Sequence, residues 1–214
     1  MPNREGILVV ISGPAGSGKS TLAERLIAGN PDTARRAVTA TTRKPRPGEV
    51  HEVDYYFLEQ EEFKKMAEDG EFLEYTVFNG NYYGTPRHSL NRELAKGGVA
   101  LLVIEVDGAE SVKFFFPDAV FVFIIPPTVE ELRRRLEKRG TESKEDVENR
   151  LAIARSEMQR IGEYDFLVVN DEISTAVDDL AAVIRTVSRT LIIGGELERW
   201  EAGQFVSWNT RRII

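Results

Sequence analysis

The sequence predicts an α/β fold: a doubly wound parallel sheet with an antiparallel segment inserted after the first helix and a helical cover near residue 140. Three observations carry this expectation. Apolar runs recur without polar alternation, as expected of strands covered on both faces. Helical patterns separate those runs. A glycine-rich loop joins the first run to the first helix.

Residues 7–11, Ile-Leu-Val-Val-Ile, read as the first strand. The loop from Gly13 to Gly18 follows, and then a helix from Lys19 to about Ala28. The stretch from Ala37 to Tyr83 has a different character. Its segments 54–57 and 72–78 alternate, a helical pattern at 60–69 lies between them, and Asn79-Gly80 is a strong hairpin signal. Beyond it the sheet pattern returns, with apolar runs at 99–104, 120–125 and 166–169. Helices are expected at 89–96, 129–138, 144–160 and from Ile173 to about Ile193. Thr128 ahead of Glu130 and Glu131 has the layout of an N-cap with an acidic first turn. Another helix should start near Gly108, with Asp107 as its cap.

The resulting divisions are 1–36 (core with the glycine loop), 37–88 (insertion), 89–136 (core), 137–150 (cover), 151–193 (core) and 194–214 (a C-terminal extension). The extension carries Trp200, Phe205 and Trp208, which suit either cover for a core edge or self-association. Phe114-Phe115-Phe116 reads as packing.

Composition narrows the function. At 214 residues, 42% hydrophobic and 29% charged, the chain is a globular unit and not a disordered one. A net charge of -7 argues against a nucleic-acid partner, whose phosphates demand cations. The absence of cysteine excludes disulfides, thiolate metal sites and a cysteine nucleophile. No apolar run has bilayer length and no signal-peptide layout is present, so the expectation is a cytoplasmic chain with no membrane partner. His51 and His88 have no partner at metal-ligand spacing.

Gly13, Pro14, Ala15, Gly16, Ser17, Gly18, Lys19 and Ser20, followed by Thr21, fit the G-x-x-x-x-G-K-[ST] pattern. Glycines let successive backbone N–H groups curl around an anion, and the helix that follows adds its positive end. Lys19 would reach the outer phosphates of a nucleotide, and the Ser20 hydroxyl would serve Mg²⁺. This motif alone does not choose between a GTPase, an ATPase motor and a small-molecule kinase.

A second cationic site lies in 39–49, where Arg43, Lys44 and Arg46 alternate with Pro45 and Pro47. Prolines stiffen the segment, and guanidinium groups grip phosphate in bidentate fashion. Tyr55, Tyr83 and Glu74 are its companions in the insertion. The run from Glu130 to Arg135 reads mainly as a solvated helix face, with Arg135 as the exception.

These motifs in this order, GPAGSGKST, TTRKPRPGE, DYYF, GEFLEY, GNYYGT, VDGAESV, RLEKRGTE and VVND, resemble those of guanylate kinases over roughly residues 6–193. The resemblance implies a P-loop core, a nucleoside-monophosphate-binding subdomain at 37–88 and a lid at 137–150. It implies ATP-dependent phosphorylation of GMP to GDP, with dGMP as an alternative acceptor and Mg²⁺ as cofactor. Arg43, Arg46, Tyr55 and Tyr83 match residues that hold the GMP phosphate. Glu74 matches the carboxylate that reads guanine, and Thr39 and Thr85 fall near its O6 edge. Arg135, Arg139 and Arg150 match lid and hinge arginines, and Asn170 sits where the family contacts the ATP base.

One stretch departs from the family pattern. Members commonly carry two acids ahead of the Gly-Ala pair, followed by Gln; here the positions read Val103, Glu105 and Asp107. Glu105 is the remaining candidate to hold a Mg²⁺ water or the guanine amino group. Two other functions compete: a non-catalytic peptide-binding module and a P-loop kinase for a phosphorylated sugar. Intact Lys19, Ser20, Arg43 and Glu74 argue against the first. Glu74 with Thr39 and Thr85 argues against the second.

Overall fold

A computed structural model describes residues 6–78, 80–138 and 144–201, with side chains defined outside 78, 144 and 189–201. Arg139 and residues 202–214 therefore lie outside the described part, as does most of the polar stretch expected to form a cover.

The core is a five-stranded sheet of β1 (Ile7–Ser12), β2 (Ala34–Arg36), β7 (Val99–Val103), β8 (Val120–Ile125) and β9 (Phe166–Val169). Its order is β2-β7-β1-β8-β9, and every pairing is parallel. Alternate residues of β1 explain its unbroken apolar run. Val9 and Ile11 face one helical layer, formed by α1 (Lys19–Gly29) and α7 (Ile173–Glu201), where they meet Leu22, Leu26, Leu180 and Ile184. Leu8 and Val10 face the other layer, formed by α3 (Arg87–Ala95) and α4 (Val106–Phe115), where they meet Leu90, Ala109 and Val112. Burial on both faces removes the need for polar alternation.

The insertion forms a second sheet from β3 (Thr39–Thr41), β4 (Tyr55–Phe57), β5 (Phe72–Phe78) and β6 (Asn81–Pro86), ordered β4-β3-β6-β5. Helix α2 (Gln60–Glu68) covers it through Phe63, whose ring stacks 4.3 Å from that of Phe72. The sheet is not wholly antiparallel as expected. β3 pairs antiparallel with β6 but parallel with β4. The proline-bearing segment between β3 and β4 is long enough to carry the chain back to its starting end, as a parallel pair requires. The turn at Asn79-Gly80 joins β5 to β6, although Asn79 is outside the described residues.

Helices α5 (Val129–Lys138) and α6 (Lys144–Met158) pack on each other through Leu132, Leu136, Val147 and Leu151. The Thr128 hydroxyl accepts the Glu131 N–H at 3.0 Å, so the expected cap is formed.

Four expectations need correction. α7 runs on to Glu201 instead of stopping near Ile193. Gly194 and Gly195 each cost about 1 kcal/mol in a helix, too little to end one that continues into Glu196, Leu197 and Glu198. α4 starts at Val106, so Glu105 and not Asp107 occupies the N-cap position. Of the three consecutive phenylalanines only Phe116 packs; Phe114 and Phe115 are exposed, and Arg87 lies over the Phe115 ring. Strands β2 and β3 were not anticipated, because each is three residues long and mostly polar. Among the described residues, no helix is long and apolar enough to cross a membrane.

Candidate active site

The glycine loop leaves β1 at the carboxyl end of the parallel sheet, where α/β folds present ligands. Gly18 is the N-cap of α1 in a left-handed conformation with φ +97°, and no side chain caps the helix. Its first-turn N–H groups are therefore directed at the cleft, as an anion site requires. A Cβ on Gly18 would overlap the Asn170 amide.

That amide braces the loop. Asn170 follows β9 directly, is buried, and donates from Nδ2 to the Ser17 carbonyl at 2.8 Å. Arg135 on α5 reinforces the contact, donating from Nη2 to the Asn170 carbonyl at 2.7 Å and pairing through Nε with Glu131 at 2.7 Å.

Lys19 is buried and folds back over its own loop. Its Nζ donates to the Gly13 carbonyl at 2.5 Å and the Pro14 carbonyl at 3.3 Å, and pairs with Glu105 Oε2 at 3.1 Å. Glu105 does not cap α4 with its side chain. Asp107 points outward, with 83% of its side chain exposed, and meets Arg160 at 3.4 Å. Of the two acids in this stretch, Glu105 is the one at the cleft.

One cleft joins the loop to the second sheet. Ala15, Gly16, Gly18, Lys19, Ser20 and Thr21 line one side; Arg43, Arg46, Tyr55 and Tyr83 line the other; Glu105 and Arg150 complete it. Residues up to 135 positions apart in sequence thus converge, from 15 to 150. A neighbouring cleft of ≈ 780 Å³ is lined by Gly16, Gly18, Thr21, Arg135 and Asn170, and continues the loop on its other side.

Arg43 is held in place by Glu49 through two contacts, Nη1–Oε2 at 2.5 Å and Nη2–Oε1 at 2.6 Å. Glu49 also accepts the Arg46 backbone N–H at 2.7 Å, closing the proline turn. Burial works against both charges. The pairing prevails, so the Arg43 pKa is raised and that of Glu49 lowered. The Arg43 guanidinium lies 4.9 Å from the Tyr55 ring and 5.5 Å from the Phe57 ring. Burial also raises the Tyr83 pKa, with the Arg43 charge opposing it.

Glu74, Thr39 and Thr85 do not line the cleft; all three are buried behind it. β5 shifts register between Phe72 and Tyr75, and this irregularity turns Leu73 and Glu74 inward in succession. Leu73 enters the core of the parallel sheet. Glu74 Oε1 accepts the Thr85 hydroxyl at 2.5 Å, and its other oxygen lies against Gly108 of α4. Burial pushes the Glu74 carboxyl up to about 7, with the Thr85 hydroxyl and N–H partly opposing the rise.

Three residues in or beside the cleft were missed from sequence. Glu49 stands inside the basic motif, where its spacing from Arg43 across the proline turn was an available signal. Asn81 lines the cleft from β6. Glu157 on α6 faces Lys19, Glu105 and Asp107, and burial pushes its carboxyl up to about 7. His51 has a structural part, accepting the Phe57 N–H on Nδ1 at 3.1 Å.

Known proteins resemble this chain in sequence and fold. The profile of the guanylate kinase family matches residues 5–187. A guanylate kinase of Desulfitobacterium hafniense is 46% identical over 184 residues, covering 86% of this chain and 92% of its own. A guanylate kinase of Carboxydothermus hydrogenoformans is 42% identical over 203 residues, covering 91% and 99%. The crystal structure of guanylate kinase from Anaplasma phagocytophilum superposes with a TM-score of 0.71 at 33% identity, covering 86% of this chain and 87% of that one. A P-loop facing a proline-stiffened arginine pair across one cleft, carried on a chain matched over this length, belongs to the guanylate kinase family.

Proposed function

We propose that this chain catalyses ATP + GMP → ADP + GDP by direct in-line transfer. The observation that carries the reading is the single cleft in which the P-loop faces Arg43, Arg46, Tyr55 and Tyr83. Two anion grips across one gap suit two phosphates brought end to end.

In this reading the loop amides and Lys19 take the β- and γ-phosphates of ATP, and its base lies in the adjoining cleft beside Asn170 and Arg135. The acceptor phosphate lies between Arg43, Arg46 and the tyrosine hydroxyls. An acceptor oxygen bonds to the γ-phosphorus while the bond to the β–γ bridging oxygen breaks, and ADP leaves. No general base is required, because a phosphate monoester with a second pKa near 6 is already largely ionised at neutral pH. The protein's contribution is positioning together with stabilisation of charge by Lys19, Arg43, Arg135, Arg150 and Arg139.

Guanine presents N1–H and an amino group side by side, and the Glu74 carboxylate, buried behind the cleft in the unliganded chain, accepts both once the base enters. Adenine would turn a lone pair toward that charge. Thr85 stands beside Glu74 for the O6 edge, and the reading assigns Thr39 to the same edge.

The residues present fit Mg²⁺. Ser20 and Glu105 bring oxygen donors to the same cleft. Among the described residues no cluster of three or more acids or histidines could hold a metal alone, as suits an ion bound mainly by phosphates and water. Ser20 would hold it directly and Glu105 through water, and the ion would supply neutralisation of phosphate charge. The reading extends to a cytoplasmic enzyme of purine nucleotide metabolism whose partners are nucleotides, with neither nucleic acid nor membrane involved.

One assay tests this: coupled detection of ADP with GMP, dGMP, AMP and ribose 5-phosphate as acceptors. GMP should be preferred over AMP by orders of magnitude. ADP release independent of acceptor would make the chain an ATPase and overturn the reading.

A further inference from the structure

Arg36 has no part in the mechanism above. It ends β2, at the carboxyl edge of the parallel sheet where the cleft opens. Its side chain is only 10% exposed. Nε and Nη2 are buried and have no hydrogen-bond partner. The nearest carboxylate, Glu24 on α1, stands 4.0 Å from Nη1 and is itself 58% exposed, so it compensates the buried charge poorly.

A guanidinium with unmet donors carries a desolvation penalty that an apolar side chain of similar length would avoid. What the guanidinium adds is charge against a ring. Its centre lies 5.6 Å from the centroid of Tyr55, and Arg43 lies 4.9 Å from that same centroid. Tyr55 and Arg43 line the cleft, whereas Arg36 does not. The ring thus has one cation near it at the cleft and one outside the cleft, and its aromatic neighbours are Phe57, 5.8 Å away, and Tyr83, 6.5 Å away.

We propose that Arg36 is a positioning residue for the acceptor phosphate, fixing the Tyr55 ring so that its hydroxyl is presented to GMP. This rests on the reading of the cleft as the GMP side. A cation over a tyrosine face within 6 Å of the centroid is attractive, more so when both are desolvated. Arg36 touches no phosphate in this account, so its effect must pass through Tyr55.

The test is steady-state kinetics of Arg36→Met with calorimetry of GMP binding. The KM for GMP should rise about tenfold, while kcat and the KM for ATP stay within about twofold. In a Tyr55→Phe background, the same change should add less than about threefold, because the hydroxyl it positions is gone. Arg36→Lys, which keeps a cation over the ring, should restore most of the affinity. Glu24→Gln separates this role from simple bracing of α1: it should leave the KM for GMP unchanged. If Arg36→Met is not obtained folded, Arg36→Gln carries the same expectations. Equal losses for ATP and GMP, full additivity with Tyr55→Phe, or a Glu24→Gln variant that copies Arg36→Met would each overturn the proposal. Failure of the unaltered chain to bind GMP would remove the assignment of the cleft as well; normal GMP binding by a folded Arg36→Met would remove only this inference.

Discussion

Glu74→Gln is the change for which the structure specifies most. The Glu74 carboxyl is buried, and its pKa stands at about 7 against an ordinary 4.5. Because the folded value is the higher one, the fold favours the protonated acid. The stability this supplies is complete below about pH 4.5 and is lost as pH rises through about 7. At 1.36 kcal/mol per unit, the loss amounts to roughly 3 kcal/mol. For a chain of this size that is a fall of roughly 6–12 °C in Tm. Glutamine has no charge to desolvate, so thermal melts of the unliganded variant between pH 5 and pH 8 should lack this fall. Guanine binding has the opposite requirement, since only the ionised carboxylate accepts two N–H donors. GMP should therefore bind the unaltered protein more weakly as pH drops below 7, beyond the weakening caused by its own phosphate, and that extra slope should vanish in the variant. Selectivity for GMP over AMP should fall by roughly 10²–10³-fold, as expected when a base-edge pairing is left unmet. Coincident pH–stability curves for the two proteins, together with retained selectivity, would refute both the buried ionisation and the guanine role.

Lys19→Ala should leave the fold intact and lower kcat by at least about a hundredfold, since the ammonium would meet charge that builds on the transferring group; single-turnover kinetics separates this from lost binding. Glu105→Gln should cut turnover and raise the Mg²⁺ concentration needed for half-activity, whereas Asp107→Asn, at an exposed side chain, should do neither; a Mg²⁺ titration of both variants decides. Glu49→Gln should weaken GMP several-fold more than ATP, because it frees the Arg43 guanidinium from the geometry that presents it, and parallel KM measurements for the two nucleotides check this.

The parts of the site that were legible in sequence are those fixed by local constraints. The P-loop needs glycines at set spacings within eight residues, and the four apolar strands need only side chains tolerated on both faces. Arg43 and Arg46 were visible as a charge cluster stiffened by proline. Their partner Glu49 was not, because whether a neighbouring acid neutralises or orients an arginine depends on how the turn closes. β2 was hidden because Arg35 and Arg36 are an unlikely pair for a buried edge, and β3 because Thr39 and Thr41 find their hydrogen-bonding company only in the second sheet. The inward turn of Glu74 follows from a register shift, and alternation alone would have placed Leu73 and Glu74 on opposite faces. Asp107 was assigned as a cap on residue preference, but the strand ended early enough for helix α4 to begin one residue before it.

The brace between Asn170 and the Ser17 carbonyl spans 153 residues. During synthesis the whole glycine motif leaves the ribosome first, and the side chain that keeps the loop in shape emerges only after β9 has been made. At about 5–20 residues per second, roughly eight to thirty seconds separate the two events. Over that interval the nascent chain has the motif but lacks the contact that secures its shape, so tight nucleotide binding must await the last strand of the sheet. If the loop holds ATP as proposed, that contact couples the nucleotide to the docking of β9 at the far edge, and nucleotide added to a folding chain should protect β9 amides from exchange as strongly as those of the loop itself.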